Sequence, residues 1–333
     1  MEKVKSFEGY FQLDDWFKEP VLCVFYLYLL FNFFFALFEI SRNTLLGQYY
    51  LYMNFRGYLF QFILQSHWFK WSLIIISMLL ILESFFKERL YYFLPHKWKV
   101  NILVNWFKWV IPFLFVIQIY FTLKVYGSIY NHHVPLWKWE KGFWILIHPI
   151  FSSLPTWLYR FLDIVYVPGW AFAHWLFLLG LISSNETFKK RLFGVYGLSL
   201  MLGGILHYLF PAISPIYVDR NYFNYLPSGL TSWHYHNYCL EQQTLFLKKG
   251  IEAFNLLKGK AIIPIAAFPS FHVGYALQIF LLARDFCKKW IVIISFLFLW
   301  LIIIGSLILG YHYLIDDIAG ALIVYLIYSL VKN

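Results

Sequence analysis

Charge is the scarcest property of this 333-residue chain. Only 13% of its residues are Asp, Glu, Lys or Arg, whereas a soluble domain carries about 25%. So few charges cannot solvate a globular surface. That excludes a disordered chain, a fibrous repeat and a polar nucleic-acid-binding module. Cysteine is nearly absent too. Cys23, Cys239 and Cys287 are odd in number and unrelated in spacing, so they build no disulfide framework and no zinc pattern. Cys23 lies inside an apolar run and reads as packing. The apolar runs do not alternate with polar residues, which argues against a barrel. No internal repeat and no low-complexity linker interrupts the chain. No cleavable leader is expected either. Residues 1–20 mix Lys3, Lys5 and Lys18 with Glu2, Glu8, Asp14, Asp15 and Glu19. The apolar run that follows is too long for a leader and has no small-residue cleavage site.

What is present is hydrocarbon. Apolar residues make up 61% of the chain and aromatics 23%, and the mean hydropathy is +0.62. The 37 Phe, 26 Tyr and 15 Trp suit lipid-facing helices and interfacial belts. About eight runs approach the ~20 residues that a bilayer requires: 21–38, 68–86, 102–122, 162–182, 192–210, 266–283, 290–309 and 312–331. The run 290–309 carries no charge at all. The stretch 143–158 is broken by His148, Pro149, Ser152, Ser153 and Pro155, and reads as an interfacial or re-entrant segment or as a ninth span. Segment 50–65 is similarly ambiguous. Backbone groups in lipid must be satisfied within the segment, so these runs are helices. The expectation is an all-α polytopic membrane protein, with an N-terminal transmembrane region over 1–160 and a catalytic membrane domain over 161–333.

The net charge of +10 reads as membrane anchoring rather than nucleic-acid binding. Three short loops are dense in base: 87–101, 183–191 and 284–289. With eight spans they share one side with both termini, and that side is expected to be cytoplasmic. The longer segments 39–67, 123–161 and 211–265 then lie opposite. Raw totals of Lys and Arg barely differ between the sides, so the orientation rests on density in the short loops.

Two stretches stand out against the apolar background, Ala266-Ala267-Phe268-Pro269-Ser270-Phe271-His272 and Gly310-Tyr311-His312-Tyr313-Leu314-Ile315-Asp316. An in-and-out hairpin returns both to the same membrane side. His312 and Asp316 are four residues apart and share a face on a helix. A carboxylate on one imidazole nitrogen fixes the tautomer and leaves the other nitrogen free as a nucleophile. Pro269 or Ser270 suits the first turn or cap of a helix, whose N–H groups attract phosphate. His272 stands beside that position as general acid and base. Nucleophile, orienter, proton shuttle and anion cradle make a phosphoryl-transfer site without a metal cluster or other cofactor. A lone intramembrane histidine such as His207 or His174 reads first as a packing group. A paired set at one depth reads as functional, because ionisable groups inside spans are costly.

These stretches resemble the type 2 phosphatidic acid phosphatase and haloperoxidase superfamily. Its second motif is matched by Pro269-Ser270-Phe271-His272, and its third by Ser306 through Asp316. The resemblance covers roughly 190–331. It implies a six-helix catalytic core, a phospho-histidine at His312, orientation by Asp316, protonation of the leaving oxygen by His272, and metal-independent chemistry. Two departures matter. The family's basic first motif is absent, and Tyr208-Leu209-Phe210-Pro211 stands in its place. The arginine six residues before the nucleophile is replaced by Ser306. Both departures, with A-A-x-P-S-x-H and H-Y-x-x-D, are similar to the inositol phosphorylceramide synthase branch, which implies transfer more than hydrolysis.

Which cation meets the phosphate is then open. Arg220 is the first candidate, followed by Lys258 and Lys260, each weighed against a solvated charge. Ser270, Tyr313 and Asp317 complete the substrate-binding candidates, with Asp317 expected at the rim. Asp163 is a candidate to pair with a basic group. The run Trp233-His234-Tyr235-His236-Asn237-Tyr238 reads either as a polyol-binding cluster or as an interfacial loop. Gly203, Gly204 and Gly320 read as close-packing positions. The leading expectation is a lipid phosphotransferase with a phospholipid donor and a lipid hydroxyl acceptor, phosphoinositol and ceramide being the candidates. A lipid phosphate or pyrophosphate phosphatase is the alternative, and a non-catalytic transporter or scaffold the third reading. No nucleic acid is expected as partner, and the sequence names no protein partner.

Overall fold

The computed structural model describes residues 20–50, 105–169, 176–177, 180, 183, 185–257 and 265–332. Span 68–86, nearly all of segment 50–65, loop 87–101, His174, Lys258 and Lys260 lie outside the described residues. Among those described, every regular element is helical, and one isolated antiparallel bridge joins Ile213 to Ala266. Among the described residues, the α-helices of five or more residues are α1 (Pro20–Ser41), α2 (Leu45–Tyr50), α3 (Ile111–Tyr130), α4 (Leu136–Ser152), α5 (Thr156–Ile164), α6 (Val195–Leu209), α7 (Thr231–Lys249), α8 (Glu252–Leu256), α9 (Phe271–Phe286), α10 (Lys289–Ile308) and α11 (Leu314–Lys332). A π-helical turn, Trp106–Val110, leads into α3; another, Val165–Gly169, extends α5.

Five helical stretches among the described residues are long and apolar enough to cross a membrane: Pro20–Ser41, Phe107–Tyr130, Glu186–Leu209, Lys289–Ile308 and Leu314–Lys332. Their outward faces are apolar as well. Leu27, Phe31 and Phe34 on α1 are exposed, as are Ile293, Leu297 and Trp300 on α10 and Leu322, Leu326 and Leu330 on α11. Stripes of this size are a liability in water and a match for lipid. The protein is an all-α polytopic membrane protein.

Several boundaries differ from the sequence reading. The run 102–122 becomes a span over 107–130. The run 266–283 begins its helix only at Phe271, where Ser270, in an extended conformation, is the N-cap. The broken stretch 143–158 falls in two helices, α4 and α5, parted at residues 153–155. The long segment after Pro211 is not a plain loop. It holds α7, a 19-residue helix rich in polar groups.

The chain divides into two compact units, one of Met1–Gln118 with Leu176–Leu198 and one of Ile119–Trp175 with Ser199–Asn333. In the first, Lys189 is buried, and its ammonium takes Asn105 Oδ1 and Glu186 Oε1 as partners. In the second, α9 packs against both α10 and α11. The α9–α11 contact is close enough to require glycine. A side-chain carbon at Gly320 would fall 1.9 Å from the Ser270 carbonyl oxygen. This packing carries the start of α9 onto the start of α11, where the two conspicuous stretches meet.

Candidate active site

The first turn, residues 265–270, is held by main-chain hydrogen bonds. Ser214 N donates to Ile265 O at 3.1 Å, Ala267 N to Ala212 O at 2.7 Å, and Ser270 N to Asp316 O at 3.0 Å. Ser270 then caps α9, its hydroxyl oxygen facing Val273 N at 3.5 Å. Two residues on, His272 stands in the first turn of that helix.

The second turn, residues 308–316, is held by main-chain bonds, Ile216 N to Gly310 O at 3.3 Å and His312 N to Ser306 O at 3.2 Å among them, and by side chains from distant parts of the chain. Tyr225 Oη donates to Ile308 O at 2.9 Å, and His236 Nε2 lies 3.1 Å from Leu309 O. Gly310 adopts φ +76°, against Phe223 and Ile216, a left-handed conformation natural to glycine. Glu140 on α4 accepts from Leu314 N at 3.0 Å and Ile315 N at 2.7 Å. It thereby satisfies two of the orphan donors that open α11. Asp316 Oδ2 accepts from Tyr313 N at 2.9 Å.

His312 therefore precedes α11 instead of sharing its helical face with Asp316. The two still meet, because the carboxylate folds back over the first turn. His312 Nδ1 lies 3.5 Å from Asp316 Oδ2, an ion-pair distance at which this ring nitrogen makes no hydrogen bond among the described residues. On the other side, His312 Nε2 is 3.2 Å from His272 Nδ1, and which of the two nitrogens donates is set by the tautomers. His312 and Asp316 are 4% and 0% exposed, while His272 is half-buried. The Tyr166 ring lies at 4.8 Å and 26° to His272, and at 4.6 Å and 26° to Tyr311. That stack packs against the His272 ring.

The structure brings Ser270, His272, His312, Tyr313, Asp316 and Asp317 together. Tyr313 is buried, with its ring 6.2 Å from Trp144. Asp317 is also buried and not at an exposed rim. Its carboxylate takes the hydroxyls of Ser306 and Ser270, tying the two motifs to each other. Arg220 is exposed. Its guanidinium donates to Asn237 Oδ1 at 2.6 Å and lies 4.7 Å over the Trp233 ring. Asp163 pairs with no base among the described residues. It accepts from Thr231 N, Ser232 N and Ser232 Oγ at the start of α7, where a carboxylate complements the helix dipole.

The aromatic run 233–238 lies in α7, with His234 and Asn237 exposed and His236 buried. His236 Nδ1 is 3.0 Å from Tyr217 Oη. Since a carbonyl only accepts, His236 Nε2 carries the proton given to Leu309 O, and Tyr217 Oη donates to Nδ1. Burial pushes the imidazole down to about 4, with Arg220 adding to the shift and the Leu309 hydrogen bond opposing it. Glu140, Tyr166 and Tyr225 carry no sequence signal for their roles. Glu140 is 174 positions from Leu314, and no local pattern links them.

A family model described as the PAP2 superfamily matches residues 135–330. No curated protein and no solved structure matches the chain significantly.

Proposed function

The chain belongs to the PAP2 superfamily, and from that premise we propose that it is a membrane lipid phosphotransferase. It takes a phospho-headgroup, with phosphoinositol the leading candidate, from a phospholipid donor. It delivers that group to a lipid hydroxyl, with a ceramide-like acceptor the leading candidate. Family membership supports the coarser statement, a lipid phosphatase or phosphotransferase type of enzyme. The observation that carries phosphoryl chemistry at this site is the 3.2 Å contact between His272 and His312, backed by a buried Asp316; transfer is favoured over hydrolysis by the missing basic first motif and by Ser306 in place of arginine.

In the proposed first step, His312 Nε2 attacks phosphorus and a P–N bond forms. The P–O bond to the donor's glycerol oxygen breaks; His272, entering this step as the imidazolium, turns an N–H to that oxygen and gives it the proton, ending neutral, so diacylglycerol leaves. Asp316 stabilises the positive imidazole while His312 is phosphorylated. In the second step the acceptor hydroxyl gives its proton to His272. Its oxygen attacks phosphorus, and the P–N bond breaks. The burial of His312 and Asp316 supports transfer over hydrolysis, since a phospho-histidine there is screened from water.

The test uses purified protein in lipid with headgroup-labelled phosphatidylinositol and ceramide, without divalent metal. Label in a new sphingolipid, lost in His312→Ala, supports transfer. Free labelled inositol phosphate that does not depend on acceptor supports the hydrolase. Full activity in His312→Ala sinks both.

The proposed orientation puts the site on the non-cytoplasmic side. Cys287, in the basic loop 284–289, is exposed, whereas Cys239 is buried. In sealed vesicles a membrane-impermeant maleimide should reach Cys287 from the cytoplasmic face alone. Labelling from the opposite face reverses the topology.

A further inference from the structure

Lys124 is a charged residue within a membrane-spanning stretch, Phe107–Tyr130. A cation at such depth is costly and is normally answered by an anion. Here the ammonium donates to Tyr120 Oη, one helical turn earlier, at 3.3 Å. No carboxylate lies within ion-pair distance of it among the described residues. The Tyr120 hydroxyl also meets His207 Nε2 at 3.2 Å. His207 is fully buried, and its Nδ1 has no hydrogen-bond partner among the described residues. The Tyr120 ring stands edge-on to Phe271 at 5.7 Å, directly beside His272 in the chain. Lys124 is also within electrostatic reach of Asp316 and His312. Asp316 already accepts from Tyr313 N and faces His312, so it answers the ammonium only through space. The other candidate cation described, Arg220, is exposed and engaged with Asn237 and Trp233.

We infer that Lys124 supplies the positive charge that meets the substrate phosphate, with Tyr120 and His207 holding its ammonium toward the His272–His312 pair. The inference rests on the phosphotransfer reading for its catalytic meaning. Its physical core, an anion site for a phosphate group dependent on Lys124, is tested separately. A phosphoryl group at His312 brings negative oxygens into a low-dielectric pocket. A preorganised ammonium there stabilises the charge that builds as phosphorus takes on its fifth bond. Because Lys124 comes from α3, it precedes the matched family region, 135–330.

The experiment measures binding of inorganic phosphate to the full-length protein in detergent, alongside turnover of phosphatidylinositol with ceramide. Lys124→Met keeps the length and removes the charge; Lys124→Arg keeps the charge. Lys124→Met should weaken phosphate binding roughly tenfold or more and lower kcat/KM by about 10²–10³-fold. Lys124→Arg should restore most of both, while His312→Ala loses turnover and keeps phosphate binding. Unchanged phosphate affinity in Lys124→Met, with melting temperature as in wild type, overturns the inference and leaves the phosphotransfer reading standing. If Lys124→Met does not fold, phosphate binding by Lys124→Gln decides by the same criterion. A wild type that binds phosphate through Lys124 yet turns over no lipid overturns the catalytic reading and leaves the anion site standing.

Discussion

The two turns that bring His272 and His312 together are braced differently. The turn at 265–270 rests chiefly on main-chain bonds to Ala212, Ser214 and Asp316. The turn at 308–316 has main-chain bonds of its own, from Ile216 N to Gly310 O and from His312 N to Ser306 O, and adds the side chains of Tyr225, His236 and Glu140 from other parts of the fold. Main-chain bonds survive most substitutions, because every residue but proline brings the same N–H and C=O. Side-chain bonds are lost with one substitution. The stretch before His272 therefore leans on the backbone, and the stretch around His312 adds remote polar side chains. The two rings stand 3.2 Å apart, so a shift in either turn changes that contact.

The sharpest test of this contrast is to crowd the backbone-held turn. In Gly320→Val a side-chain carbon would start 1.9 Å from the Ser270 carbonyl oxygen. The expected loss exceeds the roughly 1–3 kcal/mol of ordinary overpacking. Thermal unfolding in detergent should show a large fall in Tm together with lost turnover. A variant that melts and turns over like wild type breaks the comparison. Next in size is Glu140→Gln, aimed at the turn that side chains help to brace. One amide oxygen replaces a charged carboxylate that serves two N–H donors, at a cost of about 1.5–3 kcal/mol. Turnover should fall about tenfold or more, with KM for the lipid donor little changed, if the substitution moves His312 and not the substrate.

His236→Phe should be milder, about 0.5–1.5 kcal/mol for the lost bond to Leu309 O. It also carries a pH signature. The folded ring sits near 4, below the ordinary value of 6.5, so the fold favours the neutral form. That contribution is complete above pH 6.5 and is lost as the pH falls toward 4, because the unfolded chain binds the proton first. Unfolding free energy measured across this range should decline less steeply in His236→Phe than in wild type; an identical decline assigns the pH dependence elsewhere. The smallest effect is expected from Ser214→Ala. Its hydroxyl donates to Ile265 O at 3.0 Å, but Ser214 N donates to the same carbonyl. Turnover and Tm should stay close to wild type, with a change under ~1 kcal/mol. A loss as large as that of Glu140→Gln would show that the first turn depends on side chains after all.

Much of this was legible residue by residue. The charge-free run 290–309 became α10 nearly end for end, because such a run in lipid satisfies its backbone only as a helix. Ser270 stands where a cap was expected, and the short spacings around His272 and His312 announced two polar turns at span ends. The helical face expected for His312 and Asp316 did not form, because Gly310 turns the chain at φ +76° and α11 starts only at Leu314. A four-residue spacing does not reveal where a helix begins. Asp163 illustrates the same limit. Its carboxylate caps a helix 68 residues away, and sequence offers only its charge.

Sequence by itself determined the class of the protein and which residue types stand where its apolar runs are interrupted. These follow from local properties: hydropathy and the side chains that cap helices. Tertiary structure alone decided which polar groups meet. The 40 residues between His272 and His312, and the 174 between Glu140 and Leu314, are closed by helix packing. There the decisive quantity is a distance between elements, such as the approach of Gly320 to Ser270, and no local pattern encodes it.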